Sequence, residues 1–168
     1  AEFDADNDDE AIAAAERALA IDPQQINAYL QKGYALTRKV QDAKLPYSAW
    51  KDVRSWWVKA NKVENDHPIP LVQYYLSFVE PGEKPTKASI DGLEWAMHLA
   101  PFDSWVRWLV ANQMILDDRY AEAAKVLAPL AYSPHPGEHT DQARRLLEEV
   151  EAKAKGGGDQ PPESPPAG

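Results

Sequence analysis

The sequence predicts an all-α fold. Three observations carry that expectation. Apolar and small residues recur at spacings of three and four from Glu10 to Lys155, no stretch alternates with the two-residue period of a strand, and proline, glycine or Asx clusters separate the periodic runs. A chain of 168 residues can bury a core without a covalent or metal staple. It has no cysteine, which excludes a disulfide framework, a thiolate metal site and a cysteine nucleophile.

The first run, Glu10–Ile21, places Ala11, Ala14, Ala15, Ala18 and Leu19 on one side and stops at Asp22-Pro23. Gln25–Lys39 follows, with Ile26, Tyr29, Leu30, Gly33 and Leu36 on one face. Tyr47–Glu64 carries Trp50, Val53, Trp56, Trp57, Ala60 and Val63. Further helices are expected at about Ile69–Val79, Thr86–Leu99, Ser104–Leu116, Tyr120–Ala131 and Glu138–Lys155. The breakers between them are Pro46, His67-Pro68, Pro81-Gly82, Pro101, Asp117-Asp118 and the run Pro134 to Gly137.

Composition divides the chain into three. Residues 1–8 read as a disordered acidic N-terminus, 9–155 as one helical domain, and 156–168 as a disordered Gly/Pro-rich tail, GGGDQPPESPPAG, with too little apolar surface to fold. The net charge of −9 comes from the ends: residues 1–10 hold six acids and no base, and 156–168 hold two acids and no base. A near-neutral body offers no footprint for a phosphate backbone or an anionic bilayer, so neither nucleic acid nor a membrane surface is expected as partner. No apolar run approaches the ~18 residues of a membrane helix, and no membrane insertion is expected.

Internal recurrence refines the fold class. One helix type reads Tyr29, Lys32, Gly33, Leu36, then Leu71, Tyr74, Tyr75, Phe78, then Arg107, Val110, Ala111, Met114. The other reads Ala11, Ala15, Ala18, Pro23, then Val53, Trp57, Ala60, Asn65, then Ser89, Leu93, Ala96, Pro101, then Ala123, Leu127, Leu130, His135. The terminal positions lie 42, 36 and 34 residues apart, the excess falling between the two helices of a repeat, where an insertion disturbs neither. On these residues residues 9–135 resemble the tetratricopeptide-repeat family, as a degenerate bacterial-type array. The best local matches are Ala18 to Pro23 leading to Ala28-Tyr29, and Arg119 to Ala123.

The resemblance implies a right-handed α-solenoid of antiparallel helix pairs, about three and a half repeats closed by a C-terminal capping helix. In that cap Leu146, Leu147 and Val150 face inward and Arg144, Arg145, Glu148, Glu149 and Glu151 face water. It further implies a concave groove lined by the first helix of each pair: Asn27, Leu30 and Tyr34, then Ile69, Val72 and Leu76, then Trp105, Trp108 and Asn112. The expected function is a protein–protein interaction or scaffold module that binds a helical or extended apolar peptide there. The lysine and asparagine pairs with which some members grip a terminal carboxylate are replaced here by Leu30, Tyr34, Val72 and Leu76. Two alternatives stand beside this reading. The chain opens on a helix with no upstream mate, and its end resembles repeat tails of bacterial multidomain proteins, some with peptidase-like domains, so it could be the C-terminal repeat region of a larger enzyme. The bare Ala11/Ala15/Ala18 face and the groove could instead drive self-association into a homo-oligomer. A soluble protein of the bacterial cytoplasm or periplasm is expected.

Catalytic chemistry finds no constellation. Asp117-Asp118 and Glu148-Glu149 are adjacent in sequence, and neighbours on a helix do not face each other. His135 and His139 flank Pro136-Gly137, which breaks the helix a zinc pair would need. His67 and His98 have no evident partner. There is no phosphate loop and no nucleophile elbow. No enzymatic activity, catalytic residue, cofactor or metal is therefore expected.

Overall fold

A computed structural model of the chain describes residues 6–134 and 140–156. Among the described residues there are eight α-helices and no strand: α1 (Asp6–Ile21), α2 (Ile26–Asp42), α3 (Trp50–Val63), α4 (Pro68–Val79), α5 (Lys87–Leu99), α6 (Ser104–Leu116), α7 (Tyr120–Ala131) and α8 (Thr140–Gly156). A 3-10 turn, Tyr47–Ala49, leads into α3. His135, Glu138 and His139, named above, lie outside the described residues. The chain forms two compact units, Ala1–Ala100 with α1 to α5 and Pro101–Gly168 with α6 to α8. Within each, consecutive helices pack in pairs, and in the first unit α2 also touches α4.

Helix ends repeat as a motif. α2, α4 and α6 each close on a left-handed residue: Lys44 (φ 47°), Gly82 (φ 80°) and Asp118 (φ 57°). Behind each, an N–H reaches back five residues, Leu45 to Val40, Glu83 to Phe78 and Arg119 to Met114, at 3.1, 2.9 and 2.8 Å. This is the Schellman arrangement, which satisfies carbonyls the helix leaves open. α1, α3 and α5 also end alike, with the carbonyls of Ala18, Ala60 and Ala96 accepting from Asp22, Glu64 and Ala100. Entry points are capped by side chains: the ring Nδ1 of His67 accepts from Ile69 N–H, Thr86 from Ser89, and Asp103 from Trp105 and Val106. The Asp pair 117–118 is likewise spent on a turn, Asp117 accepting from Gln113 and Asp118 from the Tyr120 hydroxyl.

The core of the first unit centres on Trp57, which is 0 % exposed. Leu30, Val40, Trp50, Val53 and Ala60 surround it, with Ile26, Tyr29, Tyr34, Leu36, Ile69 and Tyr74 packed on the outside. Gly33 is the reason α2 and α3 approach so closely: a Cβ there would meet the indole at 2.4 Å. Trp50 falls off the repeat pattern in sequence yet is buried, because it opens α3 three and seven residues before Val53 and Trp57 and shares their face. Trp56 stacks on Tyr29 at 5.1 Å, donates its Nε1–H to the Tyr29 carbonyl (2.8 Å), and carries the Lys32 ammonium over its face at 4.5 Å. Arg54 ties α3 to the end of α4, donating to the Ser77 carbonyl (2.8 Å) and Glu83 (2.7 Å) above the Phe78 ring.

In the second unit Val110, Ala111, Ala123, Leu127, Ala131, Ala143, Leu147 and Val150 are buried. The charged positions expected to face water on α8 are exposed, and Arg144 donates to the Ala131 carbonyl at 2.8 Å.

Two boundaries differ from expectation. Residues 6–8, assigned to a disordered N-terminus, form the first turn of α1. The reason is Asp8, whose side chain is 5 % exposed and accepts from Arg38 Nε (2.9 Å) and Nη2 (2.5 Å), while neighbouring Asp9 pairs with Lys39. Gly156, assigned to the tail, is the last residue of α8.

Candidate functional site

α1 and α2 are antiparallel: Asp8 pairs with Arg38 near one end and Glu16 with Lys32 (2.5 Å) toward the other. On one side of this pair the two helices leave a cleft of about 580 Å³, lined by Asn7 and Ala11 of α1 and by Asn27, Leu30, Gln31, Tyr34 and Arg38 of α2. The α2 residues Asn27, Gln31, Tyr34 and Arg38 follow at intervals of four, three and four, a single helical stripe. Two further hollows adjoin it along α1. One of about 220 Å³ runs over Ala14, Ala15 and Ala18, and one of about 550 Å³ runs past Glu10, Ala11, Ala14 and Arg17.

The wall chemistry is mixed and nearly neutral. Leu30 and Ala11 supply apolar surface, and Asn7, Asn27 and Gln31 supply amide donors and acceptors. Arg38 is neutralised by Asp8. Tyr34 stands edge-on to Trp57 at 5.4 Å, and burial pushes its phenol above the ordinary pKa of 10.0, so it stays a neutral donor. Such a surface can hold a polypeptide by shape, apolar contact and amide hydrogen bonds.

The nine groove candidates meet different fates. Asn27, Leu30 and Tyr34 come together in the cleft, although Leu30 is 8 % exposed and serves the core as well. Ile69 packs against the Trp57 cluster from α4, and Leu76 is half-buried on the same helix. Val72 is a buried core residue, 6 % exposed. Trp105, Trp108 and Asn112 stand on α6 in the second unit, Trp105 46 % exposed and Asn112 donating to the Trp108 carbonyl at 2.8 Å. Sequence reasoning missed Asn7, Gln31 and Arg38. For Gln31 and Arg38 the α2 stripe was the available signal, since both share the face of Tyr34, whereas Asn7 stands on α1.

The histidines without evident partners have structural roles. His67 caps α4, and His98 stacks on Trp95 at 5.7 Å with its Nδ1 2.8 Å from the Glu94 carbonyl oxygen. Among the described residues no group of three or more His, Cys, Asp or Glu side chains is placed to hold a metal ion. Among the described residues no helix is long and apolar enough to cross a membrane. Compared with known proteins, the chain matches no family model and no curated protein.

Proposed function

We propose that this chain is a non-enzymatic protein–protein interaction module of tetratricopeptide-like helix pairs, and that it binds a helical or extended apolar peptide. The family reading is supported by helix ends that recur with the repeat: the left-handed closures at Lys44, Gly82 and Asp118, and the alanine carbonyl acceptors Ala18, Ala60 and Ala96. It is supported also by the bulky repeat positions Trp57, Leu93 and Leu127, all fully buried. In this reading α1 to α5 form a right-handed stretch of α-solenoid.

The observation that carries the binding role is the open cleft between α1 and α2, with Leu30 and Ala11 as apolar wall and Asn27, Gln31 and Tyr34 as polar guides. Exposed concavities of this make-up are where polypeptide partners seat. The test is selection from a random peptide display library on the native chain and on Asn27→Arg/Gln31→Arg, two exposed positions whose change leaves the core intact. Peptides enriched on the native chain and lost on the variant support the role. Equal enrichment on both, or none on either, overturns it.

A further inference from the structure

Gly33 and Val53 stand 20 residues apart, whereas the equivalent positions in the last helix pair, Ala111 and Ala123, stand 12 apart. The extra residues between α2 and α3 build a hollow of about 510 Å³ at the C-terminal end of α2, inside the first unit. It shares no lining residue with the α1–α2 cleft. Val40 and Trp50, both buried, form its floor. Leu45 and Tyr47 from the connection and Pro81 from beyond α4 form apolar walls, and Leu45 and Tyr47 are exposed. Closed turns hold both walls. The Lys44 closure and the bond from Ala49 N–H to the Pro46 carbonyl (2.9 Å) fix one, and the Gly82 closure fixes the other. A site held this way needs little ordering when a ligand enters.

The polar groups of the hollow favour a cation. The Glu80 carboxylate accepts from the Gln41 amide (2.5 Å) and forms no ion pair among the described residues. Crowding pushes its carboxyl above the ordinary range, with no cation beside it to offset the burial. The Gln41 Nε2 is spent on that bond, which leaves its Oε1 and the second Glu80 oxygen as acceptors. α2 and α4 both end here, at Asp42 and Val79, and helix C-termini attract positive charge. Lys44 is the basic residue of the lining, and it is exposed.

We propose that this hollow is a second recognition site, which takes one arginine side chain of a partner polypeptide. A planar guanidinium has donors for both the Glu80 carboxylate and the Gln41 carbonyl, whereas a lysine ammonium is a point charge. Its flat face and apolar stem suit walls made by Tyr47 and Leu45. A free cation would leave much of the hollow empty, whereas apolar residues flanking the arginine in a chain would cover Leu45, Tyr47 and Pro81. Occupancy of the α1–α2 cleft is not required.

The probe is acetyl-Leu-Arg-Leu-amide, titrated into the full chain and read from the amide NMR shifts of Gln41, Leu45, Tyr47 and Glu80. Saturable shifts centred on these residues are expected. The citrulline peptide, neutral and of the same shape, should bind about tenfold or more weakly, and the lysine peptide about threefold more weakly. Glu80→Gln, which keeps an acceptor for Gln41, should weaken binding about tenfold with helicity retained. Lys44→Gln should tighten it about twofold at low salt. The cleft variant Asn27→Arg/Gln31→Arg should bind as the native chain does, so failure of this site and failure of the cleft role are separately visible. Absence of saturable shifts, equal binding of the arginine and citrulline peptides, or binding that survives Glu80→Gln overturns the site. Loss of binding on the cleft variant places the peptide in the cleft and overturns it too. A lysine peptide as tight as the arginine peptide overturns the guanidinium assignment. n-Butylguanidinium binding as tightly as the peptide makes the hollow a small-cation site and overturns the polypeptide partner.

Discussion

Gly33 of α2 and Trp57 of α3 meet so closely that a Cβ on the glycine would stand 2.4 Å from the indole Cη2. The ring is completely enclosed and has nowhere to retreat. Gly33→Ala would normally gain about 1 kcal/mol of helix propensity. Here the overpacking outweighs it, and a net destabilisation of about 1–3 kcal/mol is expected. Trp57→Leu alone should also destabilise, but the double variant should be more stable than the two losses added. Urea unfolding of the four proteins in the cycle measures the coupling; strict additivity would refute the contact.

Two adjacent aspartates should differ sharply. Asp8 is enclosed and doubly bonded to Arg38, whereas the Asp9 side chain is 78 % exposed in its pair with Lys39. Asp9→Ala should cost less than about 0.5 kcal/mol, as exposed pairs do. Asp8→Ala strips an enclosed charge-assisted bond from an arginine that can partly rehydrate, and about 1–2 kcal/mol is expected. Equal midpoints for the two variants in chemical denaturation would show that α1 is not anchored through Asp8.

The left-handed closures make opposite demands on their residues. Lys44 adopts φ 47° with a side chain that disfavours it, while Gly82 adopts φ 80° freely. Lys44→Gly should stabilise by about 0.5–1 kcal/mol, the conformational relief exceeding the entropy glycine adds to the unfolded chain. Gly82→Ala should destabilise by about 1 kcal/mol although open space surrounds the site. Thermal melts of both variants test the pair of signs.

Glu80 gives a pH dependence of defined sign. Crowding of its carboxyl raises its pKa above 4.5, opposed in part by the amide hydrogen bond from Gln41. A carboxyl with a raised folded pKa binds its proton more tightly folded than unfolded. Its contribution to stability is therefore full below the unfolded value and falls as pH rises through the folded one. Glu80→Gln keeps an acceptor for Gln41 and removes the titration. The variant should gain on the native chain between pH 3.5 and 7.5, read from denaturant midpoints at both ends. An unchanged difference would place the carboxyl in ordinary solvent.

Most of the helical frame was legible because its punctuation is local. Pro23, Pro68, Pro81-Gly82 and Pro101 mark their boundaries within a few residues. What escaped was what depends on distant partners. The start of α1 was hidden in an acidic run because Arg38, which anchors Asp8, lies 30 residues away. Lys44 gave no closure signal because it is not the glycine that usually marks one. The cleft was half legible: Asn27, Leu30 and Tyr34 lay on a stripe, but the hollow beside them depends on how α1 and α2 sit.

The close meeting of Gly33 and Trp57 bears on how such a sequence drifts. The place of Gly33 is taken by Tyr75 in α4 and Ala111 in α6, and that of Trp57 by Leu93 and Leu127, all of them buried. Bulk is thus distributed between walls rather than assigned to a column of an alignment. The packing constraint falls on the combined volume of two positions in different helices, so a change at one is tolerated where the other compensates. Helix pairs built this way would lose recognisable residues while keeping their geometry. Kinship between them would then be recorded as covariation between paired positions, which position-by-position comparison does not register.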